Sequence, residues 1–494
     1  MISSHATHAR IKRRGPGTQT GDRRPDPPKA IVMLDQKTFP RTADLTAVRA
    51  ALRSGRLTSE QLTLHCLERI AAADQAVHAV LATDPTALRQ AAHADRRLAA
   101  GLDLGPLDGI PILVKDNIDT ARLSGTAGSR LLAGRPPSTD APVVTRLRNA
   151  GMVILGKTNL SEWSNFRSSS GVEGWSGVGG QTRNPFRTTH SPGGSSAGSA
   201  AAVCAGMAPL ALGTETDGSV VGPAGLCGVV GVKVERGRLP IEGIAPISSE
   251  MDTVGLLAGS ISDASLALAE LCGVRTPAHA VRDLRVGLWQ VPDMADDLGG
   301  LLAEAVDGLR RGGVAVIPIE VPIDARMLED GLLAMYAEFR PSLEGYLRGR
   351  EGVPRTLAEL HAGNLADPLE LQHFGQDLFE RALKVSDAER AAARSARPRS
   401  RDTAARTIGR TLAKYGVDAI LAATNEPATR IDYALGERGS TGSSTLPALA
   451  GFPNITVPAT FSDGLPIGLS VFGPATLDEL FPIARTLERW VPSG

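Results

Sequence analysis

The sequence predicts an α/β layered fold with a largely parallel sheet, and three observations carry that prediction. A helix–glycine–strand grammar appears at residues 140–155 and returns at 299–318 and at 404–423. Helices alternating with short apolar strands form layers around a sheet. Between about 45 and 490 no linker-like segment interrupts the pattern, and the composition, 42% hydrophobic and 21% charged, is that of a chain with a substantial core.

Residues 1–40 stand apart. They carry Arg10, Lys12, Arg13, Arg14, Arg23, Arg24, Lys29 and Lys37 among prolines and glycines, without apolar periodicity. The expectation is a disordered or non-native basic leader. No apolar stretch follows Arg13-Arg14 or Arg23-Arg24, so no export signal is expected and the protein is placed in the cytoplasm. Residues 41–490 are expected to form the folded part.

Within that part, Thr58 and Gln61 read as a capping box, followed by Leu62, Cys66 and Ile70 at helical spacing. Residues 110–114 form an apolar run that reads as a buried strand. Over 140–155, Val143, Val144 and Leu147 mark a helix, Gly151 its stop, and Met152 to Leu155 the strand. Residues 168–231 are rich in Gly and Ser and poor in charge. Residues 199–212 inside this region read as a small-residue helix running into a strand, and 226–233 as a second strand. Glycines interleaved with core elements indicate backbone brought close to another backbone or a ligand. Leu301, Leu302 and Leu309 precede Gly312-Gly313 and a strand at 314–317. The Arg/Ala-rich stretch 388–410 keeps helical periodicity and leads into the strand at 418–423. No repeat of 20–50 residues is visible.

Charge and cysteine content exclude several function classes. With 53 basic and 53 acidic residues, broad electrostatic capture of nucleic acid or an anionic membrane is not expected. No run of 18 apolar residues exists to span a bilayer. Cys66, Cys204, Cys227 and Cys272 lie far apart with no CxxC pairing, which argues against a disulfide scaffold or a cysteine zinc site. The nine histidines show no metal-ligand spacing, and His190, the one inside the Gly/Ser region, reads as structural.

Gly194-Ser195-Ser196-Ala197-Gly198 formally fits a nucleophile elbow, but that mechanism needs an acid and then a late histidine. The glycines are not followed by Gly-Lys-Ser/Thr, so a phosphate loop is not supported. Lysine is scarce, at eight of the 53 basic residues. Lys115, closing the apolar run 110–114, is therefore conspicuous. A lysine at a strand end is ordinarily solvated. Buried in a dry pocket it would lose basicity at about 1.4 kcal/mol per pH unit and could act as a general base. Serine-rich loops, an oddly placed lysine and no well-placed histidine together invite a serine–lysine mechanism.

The segments Gly109–Asp119, Gly156–Trp163, Ser191–Ser199, Gly213–Lys233, Gly451–Pro458 and Gly464–Gly468 together resemble the amidase signature family, over roughly residues 45–485. Trp163–Arg167, Gly179–Pro185, His190–Pro192 and Glu215-Thr-Asp-Gly-Ser219 are most similar to its peptide amidase branch. The resemblance implies a large twisted mixed β-sheet flanked by helices on both faces. It implies a catalytic triad of Lys115, Ser195 and Ser219, with a cis peptide bond before Ser195. It implies an oxyanion hole from the backbone N–H groups of Thr216, Asp217, Gly218 and Ser219. No metal or organic cofactor is implied. Ser219 would attack an amide carbonyl and Ser195 would relay its proton to a neutral Lys115. Water would then hydrolyse the acyl-serine.

Several members of that family place an arginine two or three residues after the nucleophile; here the positions are Val220, Val221 and Gly222, which favours a neutral or bulky acyl group over a substrate carboxylate. Val234-Glu-Arg236, Leu256–Gly259 and Ala197 are further departures. The expected substrate is a small-molecule or peptide amide, first of all a C-terminal amide of a peptide or amino-acid derivative. Alternatives are an acyl or amide transferase, a specialised natural-product amide hydrolase, or a non-catalytic subunit. Substrate-binding candidates are Gly194, Ser196, Trp163, Phe166 and Gly222, with Ala224 leaving room. Trp175, Tyr336 and Phe339 are further wall candidates, each as suited to core packing. Ser196 and Ser199 also suit capping and packing of the following helix, and Asp116 and Asn117 either orient the lysine or shape a turn. The expected assembly is a monomer or homodimer, with no nucleic-acid or membrane partner.

Overall fold

The apolar runs of the sequence become strands of one sheet in the structure, a computed structural model that describes residues 44–275, 283–292, 294, 298–436 and 442–490. The basic leader 1–40 lies outside the described residues. The eleven strands are β1 (Val80–Thr83), β2 (Pro111–Lys115), β3 (Val153–Thr158), β4 (Leu210–Glu215), β5 (Val230–Lys233), β6 (Thr253–Ala258), β7 (Arg285–Trp289), β8 (Ala315–Ile319), β9 (Ala419–Ala423), β10 (Asn454–Ser462) and β11 (Leu465–Phe472). Their order across the sheet is β1-β3-β2-β4-β6-β5-β10-β11-β9-β7-β8.

The sheet is mixed. Four of its ten neighbour pairs are parallel, β2 with β3 and β4, and β7 with β8 and β9. The expectation of a largely parallel sheet is corrected by the centre, where β4, β6, β5, β10, β11 and β9 run antiparallel in turn. The helix–glycine–strand grammar belongs to the flanks, where helical crossovers make parallel pairing possible. The centre instead contains a hairpin: Ser462 pairs with Leu465 around Asp463-Gly464, at φ 47° and 71°. Positive φ at both turn residues is what a two-residue type I′ hairpin requires.

Side chains alternate across the sheet into two cores. Ile112, Val114, Leu210, Leu212, Val254 and Leu256 point to one face, with Val143, Val144 and Leu147 of the helix Pro142–Asn149 and Leu268 of the helix Ile261–Cys272. Leu113, Val153, Leu155, Ala211 and Leu257 point to the other. There they meet Cys66 and Ile70 of the helix Ser59–Val77 and the helix Ala197–Cys204, every residue of which is buried. The capping box of Thr58 and Gln61 is present at the start of Ser59–Val77. Both faces are therefore covered by helices. Among the described residues, no helix is long and apolar enough to cross a membrane.

A third cluster lies away from the strands. Phe339, Leu343 and Leu347 of the helix Ala325–Arg348 and Phe379 of the helix Asp377–Leu383 pack with Trp163 and Phe166.

Candidate active site

β2 and β4 run parallel and side by side, with Val114 opposite Leu212, so Lys115 and Thr214 emerge together at the same end of the sheet. The all-buried helix Ala197–Cys204 packs against them, and Ser195 and Ser196 immediately precede it. Its alanines and glycine let it approach the strands closely. Ser199 Oγ, inside the helix, donates to the Leu212 carbonyl at 2.8 Å and meets Thr158 Oγ1 at 2.7 Å.

Lys115 is fully buried. Its Nζ lies 2.7 Å from Ser195 Oγ, 3.0 Å from Thr214 Oγ1 and 3.3 Å from the Thr214 carbonyl oxygen. Desolvation pushes its ammonium pKa from 10.5 down to about 7, against the opposing pull of Asp252 and Glu215. At neutral pH a large share is then the free amine, with two N–H donors and one lone pair. The two Thr214 oxygens suit the donors, which leaves the lone pair for the Ser195 hydroxyl.

The peptide bond Gly194–Ser195 is cis. A Cβ on Gly194 would collide with Ser161 Oγ, so only glycine fits there. The Ser195 carbonyl accepts from Ser161 N–H at 3.1 Å, and Ser196 N–H donates to the Ser219 carbonyl at 3.0 Å. These bonds tie the two serine loops together. Ser219 is itself 8% exposed, whereas Ser195 is wholly buried.

After β4 the chain turns sharply. Gly218 has φ 82°, a conformation that costs an L side chain about 1–2 kcal/mol, and its carbonyl accepts from Gly222 N–H at 2.8 Å. Glu215 Oε2 accepts the N–H groups of Val220 (2.7 Å) and Val221 (3.0 Å), capping the short helix Val221–Leu226. Among the described residues, no acceptor takes the N–H groups of Thr216, Asp217, Gly218 or Ser219. Successive amides left without an acceptor on a tight turn are the kind of donor set that can hold an anion.

Acidic groups surround this turn. Asp217 accepts from the Ser444 and Thr445 hydroxyls, and burial raises its pKa. Burial also raises Glu215, opposed chiefly by the buried Lys233, whose Nζ donates to the Phe452 carbonyl at 2.7 Å. Lys157, the third fully buried lysine, donates to the Ile118 carbonyl and to Thr120 Oγ1 at 3.2 Å, with Asp116 at 3.8 Å; its partners are structural.

The remaining candidates separate by their contacts. Ser196 Oγ sits between the Thr214 carbonyl (3.1 Å) and the Thr214 N–H (3.3 Å), so it pins the end of β4. Gly222 is buried in the first turn of Val221–Leu226, and Ala224 in the second. Trp163 meets Phe379 edge-on at 5.9 Å, and Phe166 packs on Phe339 at 4.6 Å and Tyr336 at 5.7 Å. All belong to the third apolar cluster. Trp175 instead packs against Phe374, with the Arg167 guanidinium 5.2 Å from its ring centre. Asp116 shapes a turn, accepting from Thr126 N–H at 3.0 Å and from Ser124 Oγ at 3.1 Å. Asn117 turns to the site: its Nδ2 donates to Thr214 Oγ1 at 2.9 Å. The His190 ring is bonded to Thr189 Oγ1 at 2.9 Å.

Sequence reasoning did not find the parts played by Thr214, Glu215, Lys233 and Asp252. Thr214 and Glu215 lie in the Gly213–Lys233 segment. Lys233 was detectable as one more lysine in an apolar run. Asp252 carries no local signal.

A family model described as Amidase matches residues 61–481. A probable amidase of Arabidopsis thaliana is 35% identical over 479 residues, covering 90% of this chain and 90% of that protein. A glutamyl-tRNA(Gln) amidotransferase subunit of Chloroflexus aurantiacus is 33% identical over 482 residues, covering 90% of this chain and 96% of the relative. Among solved structures, the native peptide amidase of Stenotrophomonas maltophilia superposes with a TM-score of 0.83 at 40% identity, covering 91% of this chain and 97% of that one.

Proposed function

Since this chain belongs to the amidase signature family, we propose that it hydrolyses C-terminal amides of peptides or amino-acid derivatives through an acyl-serine intermediate. The observation that carries the mechanism is the buried Lys115 amine 2.7 Å from Ser195 Oγ, with its pKa lowered to about 7.

Ser219 adds to the amide carbonyl while Ser195 passes the proton to neutral Lys115. The developing oxyanion is held by the amides of Thr216 to Ser219, a role supported by their having no acceptor of their own among the described residues. One such donor is worth about 3–4 kcal/mol in the transition state. The Lys115 ammonium then returns its proton through Ser195 to the leaving nitrogen, and the C–N bond breaks to release ammonia or an amine. Water, deprotonated by the same base, attacks the acyl-serine and frees the acid.

The substrate class rests on two supports. One is the 40% identity to a peptide amidase whose complex with the competitive inhibitor chymostatin superposes with a TM-score of 0.84. The other is the set Val220, Val221 and Gly222, which offers no cation to a substrate carboxylate. The test is a panel of peptide, aryl and aliphatic amides with release of ammonia and amine both measured, alongside fluorophosphonate labelling of Ser219. Preferential hydrolysis of peptide C-terminal amides, and a label lost in Ser219→Ala, are expected. Unlabelled protein with no amide turnover refutes the reading. The likeness to an amidotransferase component supports a second reading, transfer to an amine. Added hydroxylamine would then divert most of the product to hydroxamate.

A further inference from the structure

Asp252 lies outside every recognised motif of the sequence, yet it borders the site. It follows the loop 247–251 and precedes β6, and its carboxylate is fully engaged. Oδ1 accepts from Thr216 Oγ1 at 2.5 Å. Oδ2 accepts from the N–H groups of Ile247 (2.8 Å) and Ser248 (3.1 Å), closing the loop on itself. Asp252, Thr216, Thr214 and Asn117 line one small cavity of about 10 Å³ together with Ile241, Ile244, Ala245 and Ile247. Such a space admits about one water, and Thr214, which lines it, also accepts from Lys115 Nζ at 3.0 Å.

We propose that Asp252 is a positioning residue of this site: one carboxylate oxygen fixes Thr216, the first residue of the oxyanion turn, while its charge sits on the same small cavity as Thr214, the residue that holds Lys115. The inference rests on the amide-hydrolase reading and adds to it a residue that touches neither substrate nor nucleophile. Two consequences follow from one side chain. The Thr216 hydroxyl cannot swing, so its N–H stays aimed with those of Asp217, Gly218 and Ser219. Burial lowers the basicity of Lys115, and nearby negative charges restore part of it. Asp252 and Glu215 are the groups that raise its pKa, whereas Asp116, next along the chain, is directed to Thr126 and Lys157. Asp252 is itself pushed up to about 6 by burial, so it is mostly ionised at neutral pH.

The test uses the full chain, with Asp252→Asn and Thr216→Val compared with wild type. Two readouts are followed against pH: kcat/KM on an amide, and the rate at which a fluorophosphonate labels Ser219. Asp252→Asn removes the charge, so the acid limb of both profiles is expected to move about one pH unit lower. Thr216→Val keeps the charge and removes the tether. Its kcat is expected to fall about tenfold or more, with KM and the limb unmoved. A folded Asp252→Asn whose limb coincides with wild type in both readouts overturns the charge role. A Thr216→Val with unchanged kcat and unchanged labelling rate overturns the tether, and decides the matter alone if Asp252→Asn does not fold. The labelling limb is read without any turnover, so failure of amide hydrolysis and failure of this inference are separate results.

Discussion

Thr214 presents two acceptors to Lys115, its hydroxyl at 3.0 Å and its carbonyl at 3.3 Å. This arrangement orients the amine as well as holding it. An amine that gives its two hydrogens to one residue has a single remaining direction for its lone pair, and Ser195 Oγ lies at 2.7 Å. Asn117 donates to the same hydroxyl at 2.9 Å and so keeps it from rotating away.

Thr214→Val deletes one of the two acceptors while keeping the shape of the side chain. We expect kcat/KM to fall about tenfold to a hundredfold, since one misdirected hydrogen bond at a reacting centre is worth about 1–3 kcal/mol. The melting temperature should move by only a few degrees. Steady-state kinetics and a thermal melt check both halves.

Lys115→Met removes the base while keeping an unbranched side chain of similar length in its place. Turnover should drop by at least about a thousandfold, and the protein should unfold no earlier than wild type. The stability comparison is most favourable below pH 7. There the wild-type fold must carry a buried ammonium, a cost that fades as pH rises from about 7 and is gone above the ordinary lysine value of 10.5, where folded and unfolded chains both carry the free amine. Urea denaturation at two pH values resolves this.

Activity should rise with pH through about 7, the value to which burial lowers Lys115. The working form is the unprotonated amine, so the rate is lost on the acid side, where the proton stays on, and levels off above about pH 8. A profile of kcat/KM that is flat from about pH 6 to about pH 9 contradicts the assignment.

Glu215→Ala removes both the acceptor for the Val220 and Val221 amides and a counter-charge of buried Lys233. A destabilisation of about 1–3 kcal/mol is expected, the cost of leaving buried amides without their acceptor, while Asp217 and Glu235 still face Lys233. Glu215→Gln keeps an acceptor for the amides and should recover part of it. Chemical denaturation of the two variants measures the difference.

Local sequence was a good guide where a segment's role depends on itself. The run at 110–114, the capping box at Thr58 and the small-residue helix before β4 are decided by hydrophobic spacing and side-chain size, and the structure has them in place. The antiparallel centre was not legible, because strand direction is set by which strands meet and not by any one of them. The same division holds at the site. Lys115, Ser195 and Ser219 lie within recognisable segments. Asp252 reaches Thr216 only because a loop folds back to fill its other oxygen, and Trp163 and Phe166 pack with helices some two hundred residues later in the chain. Contacts of that separation leave no periodicity to read.

The three sequestered lysines, Lys115, Lys157 and Lys233, have a practical consequence, since among the described residues the remaining two, Lys384 and Lys414, are exposed. An acylating reagent applied to the native protein meets those surface amines and passes over the inner three. Modification of the inner three, read peptide by peptide in a mass spectrometer, would therefore record opening of the molecule. Each lies near a different strand end of the same sheet, so the order in which they become reactive would trace how that sheet comes apart.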